Sequence, residues 1–121
     1  MILVDTSVWI DHLHRSDPVL VDLLLSDSVV THPRVVEELA LGSLARRDEF
    51  LQLMMGLAVV DVLGQEDLLS LVDERELWGT GLSPTDAHLI GSAMLGDGTR
   101  IWTLDRRLRS AAKSLALSYE P

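Results

Sequence analysis

Apolar residues in this chain fall into short blocks, and two spacings alternate along it. "ILV" at 2–4 and "SVVTH" at 28–32 are contiguous runs of the buried-strand kind, and "LAVVDV" at 57–62 and "RIWTL" at 100–104 repeat the type. Between them the spacing turns helical. Ser7–His14 reads as a helix with Val8, Trp9 and Leu13 inward. Asp17–Ser26 is a second, with Asp17 as its cap and Pro18 at the first helical position. Pro33–Leu41 follows and is closed by Gly42. Ala45–Met55 and the strongly charged Glu66–Trp78 come next, the latter stopped by Gly79-Thr80-Gly81. Pro84–Leu95 and Arg106–Lys113 complete the helices, and "LALSY" at 115–119 offers a possible edge strand.

Strands therefore alternate with helices, and each strand is apolar without strict in–out alternation. That pattern predicts an α/β fold, a three-layer α/β/α sandwich around a central, mainly parallel sheet. The chain has no internal repeat, low-complexity tract or linker, and 121 residues fit one domain spanning 1–121. In such sheets ligands collect outside the carboxyl ends of the strands, so chemistry is expected there.

Composition narrows the class. Aromatics are 4% of the chain against 47% apolar overall, so aliphatic side chains must form the core. The absence of cysteine excludes disulfides and thiolate metal sites and suits a cytoplasmic location. Asp5 and Asp11 interrupt any signal-peptide core, and no apolar run approaches a membrane span, so no membrane association is expected. The net charge of −9 repels nucleic acid and attracts basic partners. An RNA ligand would therefore need clustered arginines or bound cations.

Four acids stand where chemistry is expected. Asp5 ends the first strand and Asp105 the fourth, Asp86 lies in the first turn of its helix, and Glu38 lies near the exit of the second strand. Each has a plainer account. Asp5 and Asp105 suit N-caps, Ser83 and Asp86 have capping-box spacing, and Glu38 could sit on a solvated helix face. Periodicity does not separate Glu38 from Glu37. Taken together, however, several carboxylates at one sheet edge repel strongly unless a cation or proton intervenes. A hard divalent cation with oxygen ligands answers that need, and at a phosphodiester it activates both the ester and a water.

The segments "ILVDTSVWIDHL", "HPRVVEELALG", "LSPTDAHLIGSAM" and "IWTLDRRL" resemble, in order and spacing, the four acidic motifs of PIN-domain ribonucleases. They look most like the VapC toxins of type II toxin–antitoxin modules. No single motif is specific; four in order within so short a chain are. The resemblance spans nearly the whole chain. It implies a PIN fold, dependence on Mg²⁺ or Mn²⁺, endonucleolytic action on RNA and inhibition by a small, basic-tailed cognate antitoxin. By position it makes Asp5, Glu38, Asp86 and Asp105 the metal-binding and catalytic quartet, its Glu-Leu-x-x-Gly spacing selecting Glu38. Thr6, Ser7 and Thr103 match hydroxyl positions that would hold ligands or phosphate oxygens. One departure stands out: members often carry a further Asp two residues past the last Asp, followed by Phe. Here those places hold Arg107 and Leu108, which argues against a second tightly held metal.

Other features divide between function and packing. Arg106, Arg107 and Arg109, with Lys113 beyond, could hold RNA phosphates or simply suit an exposed helix. Arg46 and Arg47 read as a solvated face. The four histidines form no zinc pattern and read as structural or surface residues, and Trp9, Trp78 and Trp102 as core or interface anchors. Leu20, Leu23 and Leu24 with Phe50, Leu53 and Met54 could form a groove for an antitoxin helix or the second subunit of a homodimer; core packing is the plainer account. A phospho-acceptor receiver lacks its acidic pair and lysine here, and a haloacid-type phosphatase lacks its Asp-x-Asp. The alternative from another class is a catalytically quiet PIN-shaped binding module acting through a protein partner.

Overall fold

The computed structural model describes all residues from Met1 to Pro121. Four short strands, β1 (Ile2–Val4), β2 (Val29–Thr31), β3 (Ala58–Val59) and β4 (Arg100–Trp102), form one sheet in the order β3-β2-β1-β4. Every pairing is parallel. Successive strand residues face opposite sides of a sheet. Leu3 and Val4, Val29 and Val30, and Ile101 and Trp102 are all buried, so both faces are covered, as a three-layer sandwich requires.

Seven helices supply that cover: α1 (Thr6–His14), α2 (Pro18–Leu25), α3 (Pro33–Leu41), α4 (Arg47–Met55), α5 (Gln65–Glu74), α6 (Pro84–Leu95) and α7 (Arg106–Ser114). Helices α1 and α4 pack on α3, α5 on α6, and α6 and α7 against β4. Their starts follow local chemistry. Asp17 caps α2 through Val19 and Leu20 N–H with Pro18 behind it, and Ser83 and Asp86 close a reciprocal capping box on α6. His32 caps α3, its Nδ1 accepting from the Arg34 N–H at 2.9 Å.

Several expected boundaries move. The third strand shrinks from 57–62 to Ala58–Val59, because its only neighbour, β2, ends where His32 and Pro33 open α3. The charged helix ends at Glu74, with Arg75 as its C-cap, rather than at Trp78. Glu76 takes φ +53° and the Leu77 N–H turns back to the Val72 carbonyl at 3.0 Å, a Schellman-type stop without glycine. Helix α4 begins at Arg47, after a left-handed Arg46. The expected edge strand at 115–119 reduces to a single parallel bridge between Ser118 and Ile101. Leu13 is exposed rather than inward, and Trp78 is exposed while Trp9 and Trp102 are core. Leu20, Phe50 and Met54 are likewise core, so the groove drawn from their stripes is not an open one.

The chain runs outward from β1 to β2 to β3, then returns through α5 and α6 to lay β4 on the other side of β1. The crossover direction therefore reverses between β1 and β4. At such a switch point the loops leaving adjacent strands diverge and leave a crevice at the carboxyl edge.

Candidate active site

Asp5 leaves β1 and Thr103 leaves β4 at that switch point. Asp5 is buried and occupies the N-cap position of α1, yet its side chain makes no capping bond. Instead its Oδ2 accepts from the hydroxyls of Ser7 and Thr103, both at 2.7 Å. Those hydroxyls are themselves fixed by backbone: Leu104 N–H donates to Ser7 Oγ and Asp105 N–H to Thr103 Oγ1, both at 3.0 Å. One carboxylate thus ties the ends of β1 and β4 together, and its rotation is set by two charge-assisted bonds.

The other three acids arrive on helices. Asp105 caps α7, its Oδ1 accepting from Arg107 and Leu108 N–H at 3.0 Å each. Asp86 Oδ2 accepts from the Ser83 N–H at 3.0 Å. Glu38 Oε1 accepts from the Thr6 hydroxyl at 2.6 Å, joining α3 to the start of α1. In each of the four carboxylates the second oxygen accepts no hydrogen bond from the protein.

Asp86 reports the local field. Its pKa is raised by burial and then by the negative charges of Asp5 and Asp105, against the lowering effect of its Ser83 hydrogen bonds. These three acids therefore lie within electrostatic reach of one another. As the side chains stand, no three acidic or histidine residues are close enough together to hold an ion. The donor set is all oxygen, and every acid has an oxygen to offer, so the residues fit a hard divalent cation.

The surrounding side chains separate into structural and free. Arg109 donates to the Thr103 carbonyl at 3.1 Å and braces the loop carrying Thr103 and Asp105. Lys113 pairs with Glu120, Arg46 with Glu49 and Arg47 with Asp48. His32 and His88 are buried against each other with ring centres 5.5 Å apart, and His12 Nδ1 accepts from the Asp17 N–H. None of the histidines joins the acids. The residue that sequence reasoning passed over is Arg75, a base inside the acidic run "DERE", which the fold brings beside Arg106 and Arg107. Nothing local signals that meeting.

Known proteins resemble this chain in sequence and in fold. The model of the PIN domain family matches residues 2–114. Ribonuclease VapC32 of Mycobacterium tuberculosis, in strains CDC 1551 / Oshkosh and ATCC 25618 / H37Rv, is 51% identical over 111 residues, or 92% of this chain and 90% of the relative. The crystal structure of PAE2754 from Pyrobaculum aerophilum superposes with a TM-score of 0.64 at 19% identity, covering 98% of this chain and 87% of that one, a likeness of fold alone. The chain belongs to the PIN-domain family and, within it, to the VapC ribonucleases.

Proposed function

We propose that this protein is an endoribonuclease toxin that hydrolyses RNA phosphodiesters using a divalent cation held by Asp5, Glu38, Asp86 and Asp105. The observation that carries the assignment is the shared economy of the four carboxylates. Each commits one oxygen to the protein framework and leaves the other without a donor. A set of solvated caps would not require Asp5 to forgo its own cap, be buried, and take two hydroxyls instead. The quiet binding module has no use for that arrangement.

A divalent cation bound there supplies Lewis acidity to the phosphodiester and makes an attacking water more acidic. The protein's part is placement and charge. Asp5 is the fixed member, held by Ser7 and Thr103; Asp105 and Asp86 are oriented by their helix caps, and Glu38 by Thr6. Asp86, with its raised pKa, takes a proton more readily than an ordinary aspartate when no cation is near. Mg²⁺ matches the oxygen donor set, with Mn²⁺ as the convenient substitute. Ser7 and Thr103 are positioning residues that act through Asp5.

The same reading includes a cognate antitoxin, a homodimeric state and a cytoplasmic setting; no helix is long and apolar enough to cross a membrane. Exposed Leu41, Leu53 and Met55 are apolar side chains that a protein partner would cover.

The test is a set of purified Asp5→Asn, Asp86→Asn and Asp105→Asn variants. Each should lose RNA cleavage by orders of magnitude while remaining folded. Each should also lose the rise in melting temperature that Mn²⁺ gives the unmodified protein, about 2.7 kcal/mol of stabilisation at a hundredfold excess over Kd. Full cleavage by any two variants would end the assignment.

A further inference from the structure

Nineteen acids outnumber ten lysines and arginines in this chain, yet three arginines meet in one cleft. The cleft, about 610 Å³, lies between the Arg75–Leu82 segment and α7. Arg75, Arg106 and Arg107 line it together with the hydroxyl residues Ser110 and Ser114, and Glu76 is the only acid among its walls. None of the three guanidinium groups forms a salt bridge, whereas Arg46, Arg47 and Lys113 all do. In a protein of net charge −9, unpaired arginines facing one space are a local reversal of sign.

The Arg107 side chain lies against the loop at Gly81. Gly81 has φ +83°, and a Cβ built there would fall 2.8–2.9 Å from Cδ, Nε and Nη1 of Arg107. Glycine suits the left-handed backbone and leaves that loop open for the Arg107 side chain to lie across it. The cleft starts beside the acids, because α7 begins at the residue after Asp105. Ser110 and Ser114 continue from Arg106 and Arg107 at spacings of three, four and eight along the helix, which keeps them near one face.

We propose that this cleft holds the RNA phosphates flanking the scissile bond, with Arg75 and Arg107 as the main contacts. The planar guanidinium fork suits phosphate oxygens in pairs, and an acidic nuclease needs such a path for a polyanion to approach its own carboxylates. Arg109, committed to the Thr103 carbonyl, is not part of it. The assignment rests on the nuclease reading above, but its test does not depend on cleavage.

Binding of a labelled single-stranded RNA is measured in EDTA, where nothing is cut, over a series of salt concentrations. Each phosphate contact contributes a slope of about −0.7 in log K against log salt for single strands. The Arg75→Ala/Arg107→Ala double variant should therefore be shallower by about 1.4, while Arg46→Ala keeps the original slope. With Mn²⁺ restored, the double variant should show a raised KM for RNA at near-constant kcat. An unchanged slope and KM would overturn the inference. So would arginine-dependent binding of a poly-glutamate peptide with RNA binding intact, which would make the cleft a site for acidic protein. A protein that binds RNA through these arginines but never cuts it with Mn²⁺ would leave the cleft standing and remove the nuclease reading instead.

Discussion

Thr103→Val is the most informative single change, because it alters chemistry at constant shape. Thr103 is 2% exposed, and valine replaces only the hydroxyl, so no cavity opens. The hydroxyl donates to Asp5 Oδ2 at 2.7 Å and accepts from the Asp105 N–H at 3.0 Å. Losing the first removes a charge-assisted bond to a buried carboxylate, and a hydrogen bond to a charged group contributes about 1.5–3 kcal/mol. The second loss is smaller, since Asp105 is exposed and water can reach its N–H. A net destabilisation of about 2–3 kcal/mol follows, near 8–12 °C in Tm at roughly 4 °C per kcal/mol for a domain of this size. Asp5 would keep only Ser7 and turn more freely. Supports of this kind typically affect metal affinity by 10–100-fold. Calorimetry with and without Mn²⁺, and RNA cleavage titrated with Mn²⁺, read the two effects separately. The Mn²⁺ midpoint for cleavage should rise by 10–100-fold, with activity partly recovered at high metal. Thr103→Ser, which keeps the hydroxyl and drops a methyl, should retain the original midpoint. An unchanged midpoint in Thr103→Val would refute the claim that Thr103 acts through Asp5 on a cation, even if stability fell as expected.

Two further expectations concern protons. Burial, and after it the charges of Asp5 and Asp105, raise the Asp86 pKa in the fold, so its contribution to stability is full below the ordinary aspartate range and is lost as pH rises through the folded value. In metal-free buffer at neutral pH, Asp86→Asn should thus be at least as stable as the parent in urea melts while cleaving no RNA; a clearly less stable variant would contradict the electrostatics. His32 runs the other way: burial first, then repulsion from His88 and Arg34, lowers its pKa from 6.5 to about 4. Because its Nδ1 already accepts the Arg34 N–H, protonation would also break the α3 cap. Its stabilisation is complete above pH 6.5 and is lost as pH falls towards 4, by up to about 3 kcal/mol. His32→Asn, which can still cap, should flatten urea-melt stability between pH 6.5 and 4.5, and a slope equal to the parent's would exclude His32 as its source.

Local pattern made much of this molecule legible. Short apolar blocks and capping residues located four strands and seven helices, and Asp5 and Asp105 at strand exits pointed to the sheet edge. Long-range pairing was invisible. That β4 joins the free side of β1 puts Asp105 beside Asp5, and nothing within either segment says so. Glu37 and Glu38 share an exposed helix edge; only a contact with Thr6, 32 residues away, distinguishes them, and there periodicity is silent while family spacing is not. The third strand was overdrawn because strand length depends on the neighbour, and β2 runs out at His32. Amphipathic stripes on α2 and α4 showed which side is apolar but not what meets it, so a groove stood beside core packing, the plainer account, which holds for Leu20, Phe50 and Met54.

Capping and metal binding look like rival accounts of an Asp at a helix start, but one carboxylate has room for both. A carboxylate has two oxygens and about four acceptor directions, so one oxygen can close a helix while the other stays available. Asp105 and Asp86 are in that position, each with one oxygen committed at the N-terminus of its helix. Asp5 is the exception: it gives up the cap, and the hydroxyls of Ser7, in the first turn of α1, and Thr103, just past β4, hold it instead. The substitution chemistry follows. Asparagine keeps an acceptor for the cap and removes the charge, whereas alanine removes both. At residues 86 and 105, Asn should therefore abolish cleavage with little loss of stability, and Ala should add the cost of a lost cap, about 1 kcal/mol. Equal melting temperatures for the Asn and Ala variants would mean that the caps contribute nothing and that these acids are held in place by something else.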